Sequence, residues 1–258
     1  MKRRRLLAAP PMLPIGMLGV GVSKTAQRLK VGAAFPDPPF ELMTKEGPAG
    51  FDIALMQCIA EKLGRKWQFV PYTGADFNGI FGGLTDGSYD CIASGTTITP
   101  GRRKVADFCA PYVVSGQSLV VDIARHPNVH DIMDLEGLVI GVQQGNTSQP
   151  VAEKLVAEHR AARVRVYAYN EIEKALDDLS IGGCDVFMKL APVTAWFVRE
   201  RPKLKVVQTG ITREFLGICV RKGAALRDAV DAAQAALIKD GTLAALIKQW
   251  LGEGAAMP

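Results

Sequence analysis

The stretch DCIASGTTITPGRR, residues 90–103, begins with apolar residues, continues with small polar ones and ends in two arginines. Residues 90–95 predict a β-strand, and the residues that follow predict a short helix. A strand that ends in hydroxyl side chains and turns into a helix faces a crevice at its carboxyl end, where α/β sheets bind ligands. Arg102 can hold a carboxylate there through two parallel hydrogen bonds, a geometry that lysine cannot copy. The stretch therefore predicts an α/β fold with a carboxylate site.

Strands and amphipathic helices alternate on both sides of this stretch. Apolar residues recur at helical spacing over residues 52–63, and residues 67–72 are rich in aromatic and β-branched types. Such alternation predicts parallel sheets with helices on their faces. We expect strands at residues 29–35, 67–72, 90–95, 138–145, 164–169, 184–190 and 216–220, and helices at 52–63, from about 76, at 148–159, at 171–181 and twice after the last strand.

The order of these elements predicts two lobes, because a βαβαβ set occurs twice along the chain. The final strand and two helices cannot cover themselves, so we expect them to return to the first lobe. Lobe I then comprises residues 27–115 and 210–258, and lobe II comprises residues 116–209. The chain crosses between the lobes twice, near residues 114–119 and 207–212, and two such crossings form a natural hinge.

The first 26 residues differ in character from the rest of the chain. A basic start is followed by an apolar stretch over residues 6–22, which is the layout of an export signal. Three prolines interrupt that stretch and disfavour a membrane-spanning helix, so a disordered leader or an uncleaved anchor is the alternative. We predict that residues 1–26 are an export signal and that the protein is periplasmic or otherwise exported.

The net charge of +5 and the isoelectric point near 9.0 would by themselves suit a polyanionic partner. The leader accounts for this excess, because it carries five basic residues and no acidic one. The remainder has 26 of the 31 basic residues against 26 acidic ones. We therefore expect no nucleic-acid partner.

Motifs for metal binding and catalysis are absent from the sequence. The five cysteines have neither the spacing of a zinc site nor that of a disulfide framework. We predict that they are buried thiols, and one disulfide bond is the alternative. No G-x-S-x-G, H-E-x-x-H or Walker motif occurs. These observations predict a protein without a cofactor, a metal site or enzymatic activity.

Five segments together resemble the family 3 extracellular solute-binding proteins, the polar-amino-acid receptors of ABC importers. The segments are GFDIALMQCIAEKLG (50–64), FNGIFGGLTDGSYDCIASGTTITPGRRKVADFCAPY (77–112), GVQQGNT (141–147), LGICVRKGAALRDAV (216–230) and KDGTLAALIKQWLG (239–252). The resemblance covers nearly all of residues 29–252. It implies a two-lobed, type II periplasmic-binding-protein fold that closes over one small solute and delivers it, as a monomer, to a membrane permease.

The resemblance also implies binding residues on lobe I. The arginine that holds the α-carboxylate of the solute falls on Arg102. Ser94, Gly95 and Thr97 take the positions that supply hydroxyl and backbone contacts, and Phe77 takes that of the aromatic ring that packs on the solute.

On the facing lobe, the segment GVQQGNT ends a strand and opens a helix at about Asn146 or Thr147. Free backbone N–H groups at a helix start form an anion site. The resemblance places the second carboxylate contact on Thr147 and its neighbour Asn146. A carboxylate held by Arg102 from one lobe and by this helix from the other would bridge the cleft, which supplies a mechanism for closure.

Three positions depart from the family pattern. Leu190 stands where the family has an acid for the solute's ammonium, Ala34 is apolar where binders of basic amino acids have an acid, and Asp37 replaces a common aromatic. A buried ammonium needs an acceptor, which Leu190 cannot supply. We therefore favour a carboxylate without an α-ammonium, with Lys189 holding a second anionic group. The alternative is an ammonium held by Asp37, Thr97 and the Gly95 carbonyl.

Two other functional classes share this fold. A ligand-sensing module for a signalling partner would share the fold and the cleft. A dehydratase-like enzyme on the same fold would need a carboxyl group within residues 190–195, and that segment, LAPVTA, contains none. We expect a solute receptor and not an enzyme.

Overall fold

The computed structural model describes residues 27–258, so the predicted export signal lies outside the described residues. The strands are β1 Arg28–Ala34, β2 Leu42–Thr44, β3 Gly47–Ala49, β4 Lys66–Tyr72, β5 Cys91–Ile92, β6 Asp107–Ser115, β7 Gln117–Asp122, β8 Val139–Gln143, β9 Arg163–Tyr167, β10 Val186–Leu190, β11 Leu204–Gln208 and β12 Glu214–Val220. The α-helices are α1 Phe51–Lys62, α2 Gly82–Thr85, α3 Pro100–Val105, α4 Ser148–Ala157, α5 Ile172–Ile181, α6 Ala191–Val198, α7 Leu226–Lys239 and α8 Thr242–Trp250.

The strands form two five-stranded sheets and a small hairpin of β2 and β3. The first sheet has the order β4-β1-β5-β12-β6 and the second has the order β11-β7-β10-β8-β9. Helices α1, α7 and α8 pack with the first sheet, and α4, α5 and α6 pack with the second. The final strand and both final helices thus return to the first sheet. The division at the boundaries given above stays a prediction.

Both sheets are mixed, which corrects the expectation of parallel sheets. In the first, β1 runs parallel to β4 and β5, whereas β12 is antiparallel to β5 and β6. In the second, β8 runs parallel to β9 and β10, whereas β7 is antiparallel to β10 and β11. The antiparallel strands are those next to the two crossings, because a chain that leaves one sheet and enters the other has no crossover helix to reverse its direction.

The two crossings lie against each other. The first is Gly116 alone, between β6 and β7, and the second is the segment between β11 and β12. A Cβ atom on Gly116 would lie 2.0 Å from the carbonyl oxygen of Thr212, so the close approach requires glycine. The backbone N–H of Gln117 also donates to Thr212 Oγ1 at 2.9 Å.

The largest core cluster of the described residues contains residues of both sheets and of the helices that pack on them. Leu55 and Ile59 on α1 pack with Leu237 on α7 and Leu243 on α8, and all four are almost completely buried. Full burial of such a side chain contributes about 1.5–3 kcal/mol to stability. All five cysteines are free, and all but Cys58 are buried, as expected for thiols that pack as small apolar groups.

Candidate ligand-binding site

A small cavity lies between the two sheets and is lined from both of them. The cavity has a volume of about 20 Å³. Its lining residues are Asp37, Phe77, Ser94, Gly95, Thr97, Arg102, Gln117, Asn146, Thr147, Ser148, Lys189 and Leu190. All ten residues that the sequence nominated are among them, and Gln117 and Ser148 are additional. Their contacts with a solute stay predictions, but the structure brings the whole set together in one place.

Arg102 lies at the floor of the cavity and bonds to both sides of it. Thr99 caps helix α3 by accepting a hydrogen bond from the Arg102 backbone N–H at 3.1 Å, which sets the direction of the side chain. The guanidinium Nη1 donates to the carbonyl of Thr97 and Nη2 donates to the carbonyl of Gly145, each at 3.0 Å. Burial lowers the pKa of Arg102 to about 10, so the group stays charged at neutral pH.

The same guanidinium packs against an aromatic ring. Its carbon atom lies 4.6 Å from the centre of the Phe77 ring, and Nε donates to Asn78 Oδ1 at 3.3 Å. Arg102 therefore uses three of its five N–H donors on described protein groups. Two donors remain for an acceptor in the cavity.

Glu214 is a buried carboxylate beside the cavity that the sequence analysis did not nominate. Its Oε1 accepts hydrogen bonds from Gln117 Nε2 and Thr212 Oγ1, both at 2.8 Å. Its Oε2 accepts from Thr97 Oγ1 at 2.6 Å and from Thr147 Oγ1 at 2.7 Å. The four bonds fill the four lone-pair positions of the carboxylate. Glu214 thereby connects residues of both sheets and of both crossings.

An ion pair spans the cavity on its other side. Lys189 Nζ lies 2.9 Å from Asp37 Oδ1, and the two side chains are only 3% and 7% exposed. The ammonium also lies 5.1 Å from the centre of the Tyr169 ring. Lys189 comes from β10 and Asp37 from the loop after β1, so the pair joins the two halves of the cleft. Asp37 therefore already has an ammonium partner within the protein.

The start of helix α4 forms another wall. Thr147 is the N-cap residue, and the first N–H groups of a helix have no intrahelical acceptor. Ser148 follows with its hydroxyl fully buried and without a hydrogen-bond partner in the described chain. Asn146 precedes both and its Nδ2 donates to Gln143 Oε1 at 3.4 Å. This wall offers unpaired N–H and O–H groups to an anion.

The loop of Ser94 and Gly95 is held from behind. Ser94 Oγ accepts a hydrogen bond from the Ala34 N–H at 2.9 Å, and the Gly95 N–H donates to Asp52 Oδ2 at 2.6 Å. The hydroxyl of Tyr112 donates to the same Asp52 oxygen at 3.2 Å. These bonds take the chain out of the sheet after Ile92, which shortens the predicted strand to two residues.

Two buried carboxyl groups support this loop. Glu41 and Asp52 are both completely inaccessible to solvent. Burial raises the pKa of Glu41 well above its usual value, and the Asp52 charge raises it further. Burial also raises the pKa of Asp52, to about 6. A neutral Glu41 beside Asp52 avoids placing two negative charges together behind the site.

Sequence reasoning missed Gln117, Ser148 and Glu214. Two of them flank the crossings, and Ser148 follows the nominated Thr147 directly. Gln117 and Glu214 could have been nominated as polar residues next to a predicted crossing, because both crossings border the cleft. Across the described residues, no cluster of side chains suits a metal ion, and no helix has the length and apolar character to span a bilayer.

Comparison with known proteins agrees with this geometry. Residues 29–253 match the family described as bacterial extracellular solute-binding proteins, family 3. The L-cystine-binding protein TcyJ of Escherichia coli K12 is 28% identical over 228 residues, which cover 87% of this chain and 82% of that protein.

Two solved structures also resemble the chain. An ancestral arginine-binding protein bound to arginine has a TM-score of 0.79 and 33% identity, over 87% of this chain and 98% of that one. The ancestral amino acid-binding protein AncCDT-1, a precursor of cyclohexadienyl dehydratase, has a TM-score of 0.77 and 31% identity, over 87% of this chain and 95% of that one. Both are named as binding proteins, in agreement with the expectation that this chain is not an enzyme.

The two mixed sheets, the cavity between them and the likeness to these structures identify the two-lobed, type II periplasmic-binding-protein fold. Since the family match extends over nearly all of the described chain, the protein belongs to the bacterial extracellular solute-binding proteins of family 3.

Proposed function

We propose that this protein is the receptor of an ABC importer and binds a small carboxylate-bearing solute, an amino acid or a related organic acid, between its lobes. The observation that carries the proposal is the convergence of Arg102 and the N-terminus of α4 on one buried cavity. The guanidinium retains two donors, and the helix adds unpaired N–H groups and the Ser148 hydroxyl. A carboxylate between them satisfies donors from both lobes.

Binding in this site is coupled to closure. The contacts that cross the cleft near the cavity include Arg102 to Gly145, Lys189 to Asp37, and Thr147 to Glu214. A solute that touches both walls adds its own bonds to these only when the lobes are together. Its differential affinity for the closed form therefore drives the equilibrium toward closure.

The closed form is the one that a permease can distinguish from the empty receptor. We propose that the exported protein, as a monomer with lobe I at residues 27–115 and 210–258 and lobe II at residues 116–209, delivers its solute to a membrane permease. The relatives named for cystine and arginine binding support an amino acid as the solute class. Uptake of a labelled solute by vesicles that contain the cognate permease tests delivery directly.

A thermal-shift screen tests the binding step. The purified chain is heated with amino acids, keto acids, hydroxy acids and dicarboxylates in turn. A solute at 100 times its dissociation constant adds about 2.7 kcal/mol to the stability of the folded state, which raises the melting temperature measurably. The proposal predicts a shift with at least one compound that carries a carboxylate. If no such compound shifts the transition, the receptor proposal fails.

A further inference from the structure

Gln117 has one polar atom without a partner in the cavity. Its side chain is buried, with 1% of the residue exposed. Both donor positions of Nε2 are used, because this atom donates to Glu214 Oε1 at 2.8 Å and to Thr147 Oγ1 at 3.1 Å. Oε1 is buried and accepts no hydrogen bond from the described chain. The residue lines the cavity, so this unpaired oxygen belongs to a side chain of the candidate site.

The orientation of this amide is determined by Glu214. A carboxylate only accepts hydrogen bonds, so the atom of Gln117 that lies 2.8 Å from Glu214 Oε1 must be the nitrogen. A flipped amide would place two oxygen atoms against each other. Glu214 is held in turn by the hydroxyls of Thr97, Thr147 and Thr212. The network thus fixes Nε2 of Gln117 on Glu214 and Thr147 and leaves the carbonyl oxygen as the atom of this amide that a solute can pair with.

The same network changes what the two cleft threonines can do. The hydroxyl hydrogens of Thr97 and Thr147 both point to Glu214, so their side chains do not donate to a solute. Asp37 is paired with Lys189, and Leu190 has no polar atom. Among the described residues that line the cavity, Gln117 Oε1 and Ser148 Oγ are therefore the buried side-chain atoms without a partner, and of the two only Gln117 Oε1 is a pure acceptor.

We propose that Gln117 accepts a hydrogen bond from the amino group of the solute and so fulfils the role that Leu190 cannot, with Glu214 as its positioning residue. This inference rests on the receptor function proposed above. If Gln117 has this role, the solute carries a nitrogen donor near its carboxylate. The sequence analysis instead favoured a carboxylate solute without an α-ammonium. The acceptor is the uncharged amide of Gln117 and not the carboxylate of Asp37, because Asp37 is already paired with Lys189.

The physical basis is the cost of an unpaired buried acceptor. A solute with an N–H group satisfies Gln117 Oε1, whereas one without it leaves the oxygen buried and unpaired. The cost of leaving this acceptor unpaired corresponds to a preference of about tenfold or more for the solute with the N–H donor.

The test uses pairs of compounds that differ only in the amino group. Suitable pairs are L-histidine with imidazole-4-propionate, L-arginine with 5-guanidinopentanoate, and L-phenylalanine with 3-phenylpropionate. Dissociation constants are measured by calorimetry on the unmodified protein. We expect at least one amino acid to bind about tenfold or more tightly than its partner without nitrogen at that position. Equal affinity within every pair that binds overturns the inference and leaves the receptor proposal intact.

The variant Gln117→Met assigns the effect to this residue, since methionine has a similar length and no carbonyl. The preference within the pair should fall by about tenfold or more, while the affinity for the compound without the amino group changes little. A preserved preference overturns the assignment. Glu214→Gln should reduce the same ratio, because the amide of Gln117 is then free to turn.

Gln234 offers a matched control. It is also 1% exposed, its Nε2 donates to the carbonyls of Ala110 and Pro111, and its Oε1 is buried without a partner. It lies on α7, away from the cavity. Gln234→Met should leave the ratio unchanged. If Gln117→Met fails to fold, the ratio in the unmodified protein tests the need for the amino group, and Glu214→Gln tests whether Gln117 is its acceptor. If no compound in the wider screen binds, the receptor function and this inference fail together.

Discussion

Arg102 makes contacts within its own lobe and across the cleft at the same time. One guanidinium N–H donates to Thr97 on the near side, and another donates to Gly145 on the far side. A lysine ammonium cannot keep both bonds and also hold a carboxylate, because it lacks the planar arrangement of donors. We therefore expect the residue to combine anion binding with closure.

The first prediction is that Arg102→Lys weakens solute binding by about 1.5–3 kcal/mol, the range for hydrogen bonds to charged groups. The protein should still fold, and calorimetric titration measures the change. Arg103→Lys is the control, because Arg103 is exposed beside it on the same helix. Unchanged affinity in the Arg102 variant would remove this residue from the site.

The second prediction concerns the Asp37 and Lys189 pair. Lys189→Met leaves Asp37 buried without a partner in the closed form, and a broken buried pair costs about 3–5 kcal/mol. Opening of the cleft rehydrates Asp37, so this cost is an upper limit. We expect weaker solute binding with little loss of global stability. The double variant Asp37→Asn with Lys189→Met should regain part of the affinity, and a purely additive result would contradict the coupling.

The third prediction is a pH dependence from the carboxyl pair behind the site. The folded state raises the pKa of Asp52 from 3.8 to about 6, because the carboxylate is buried. Because the pKa is raised on folding, protonated Asp52 increases the free energy of unfolding. This contribution is fully present below about pH 4 and is lost as the pH rises through 6. The loss is up to about 3 kcal/mol.

Chemical denaturation of the unmodified chain and of Asp52→Asn at pH 4 and pH 7 measures this effect. The variant should lose less free energy of unfolding over that interval, because its amide does not ionise. The comparison between the two proteins cancels the contributions of carboxylates that do not interact with Asp52, whereas Glu41, whose pKa the Asp52 charge raises, contributes to the difference. Parallel pH profiles would show that Asp52 has an ordinary pKa.

At the scale of single elements, the turn between β8 and α4 brings lobe II against lobe I. Gly145 has a φ angle of +79°, and a Cβ atom there would lie 2.1 Å from Asp76 Oδ1 and 2.9 Å from the Phe77 nitrogen. Asp76 and Phe77 begin the short 3₁₀ helix Phe77–Phe81 of the facing lobe. Only glycine combines this backbone conformation with so close an approach.

The fourth prediction is that Gly145→Ala hinders closure and weakens solute binding tenfold or more, about 1.4 kcal/mol. Gly137→Ala is the matched control, since Gly137 has a φ angle of +75° in the same lobe and no atom within 4 Å of the added Cβ. Both variants should lose about 1 kcal/mol of stability from the strained φ angle. Only the Gly145 variant should lose affinity, and equal affinities would show that the turn does not limit closure.

Element prediction from the sequence was accurate where the periodicity was strong. Helices α1, α5 and α7 appear close to the expected positions, because each has one apolar face on a sheet. Helix α6 was missed, since its sequence APVTAWFV is apolar on nearly all sides and has no periodic signal. The helix expected from residue 76 is a 3₁₀ turn followed by the short α2. Strands β6, β7 and β11 were not predicted, and neither was the β2–β3 hairpin.

For the whole molecule, the lobes are joined by two crossings, at Gly116 and at residues 209–213, and we expect them to act as a hinge. A solute bound between the lobes would add its own contacts to those that already cross the cleft. The fifth prediction is that a saturating solute decreases the radius of gyration in solution scattering. Gly145→Ala should reduce the decrease. An unchanged radius in the unmodified protein would argue against a clamshell motion.

The sequence by itself determined the fold class, the nomination of ten residues that line one cavity and the neutral charge of the chain after its first 26 residues. These features depend on local periodicity, on short motifs and on composition, which need no knowledge of distant contacts. Arg102 and Thr147 could be nominated because each lies in a motif next to a predicted strand or helix end.

Only the tertiary structure decided which of these groups are already paired. Glu214 is 117 residues from Thr97 and 67 from Thr147, yet one carboxylate binds both hydroxyls. Lys189 and Asp37 are likewise distant in the chain and adjacent in the cleft. Hydrogen bonding and ion pairing depend on distances of about 3 Å between atoms, and no local pattern encodes them. The free acceptor on Gln117 follows from those pairings, so it became visible only in the folded chain.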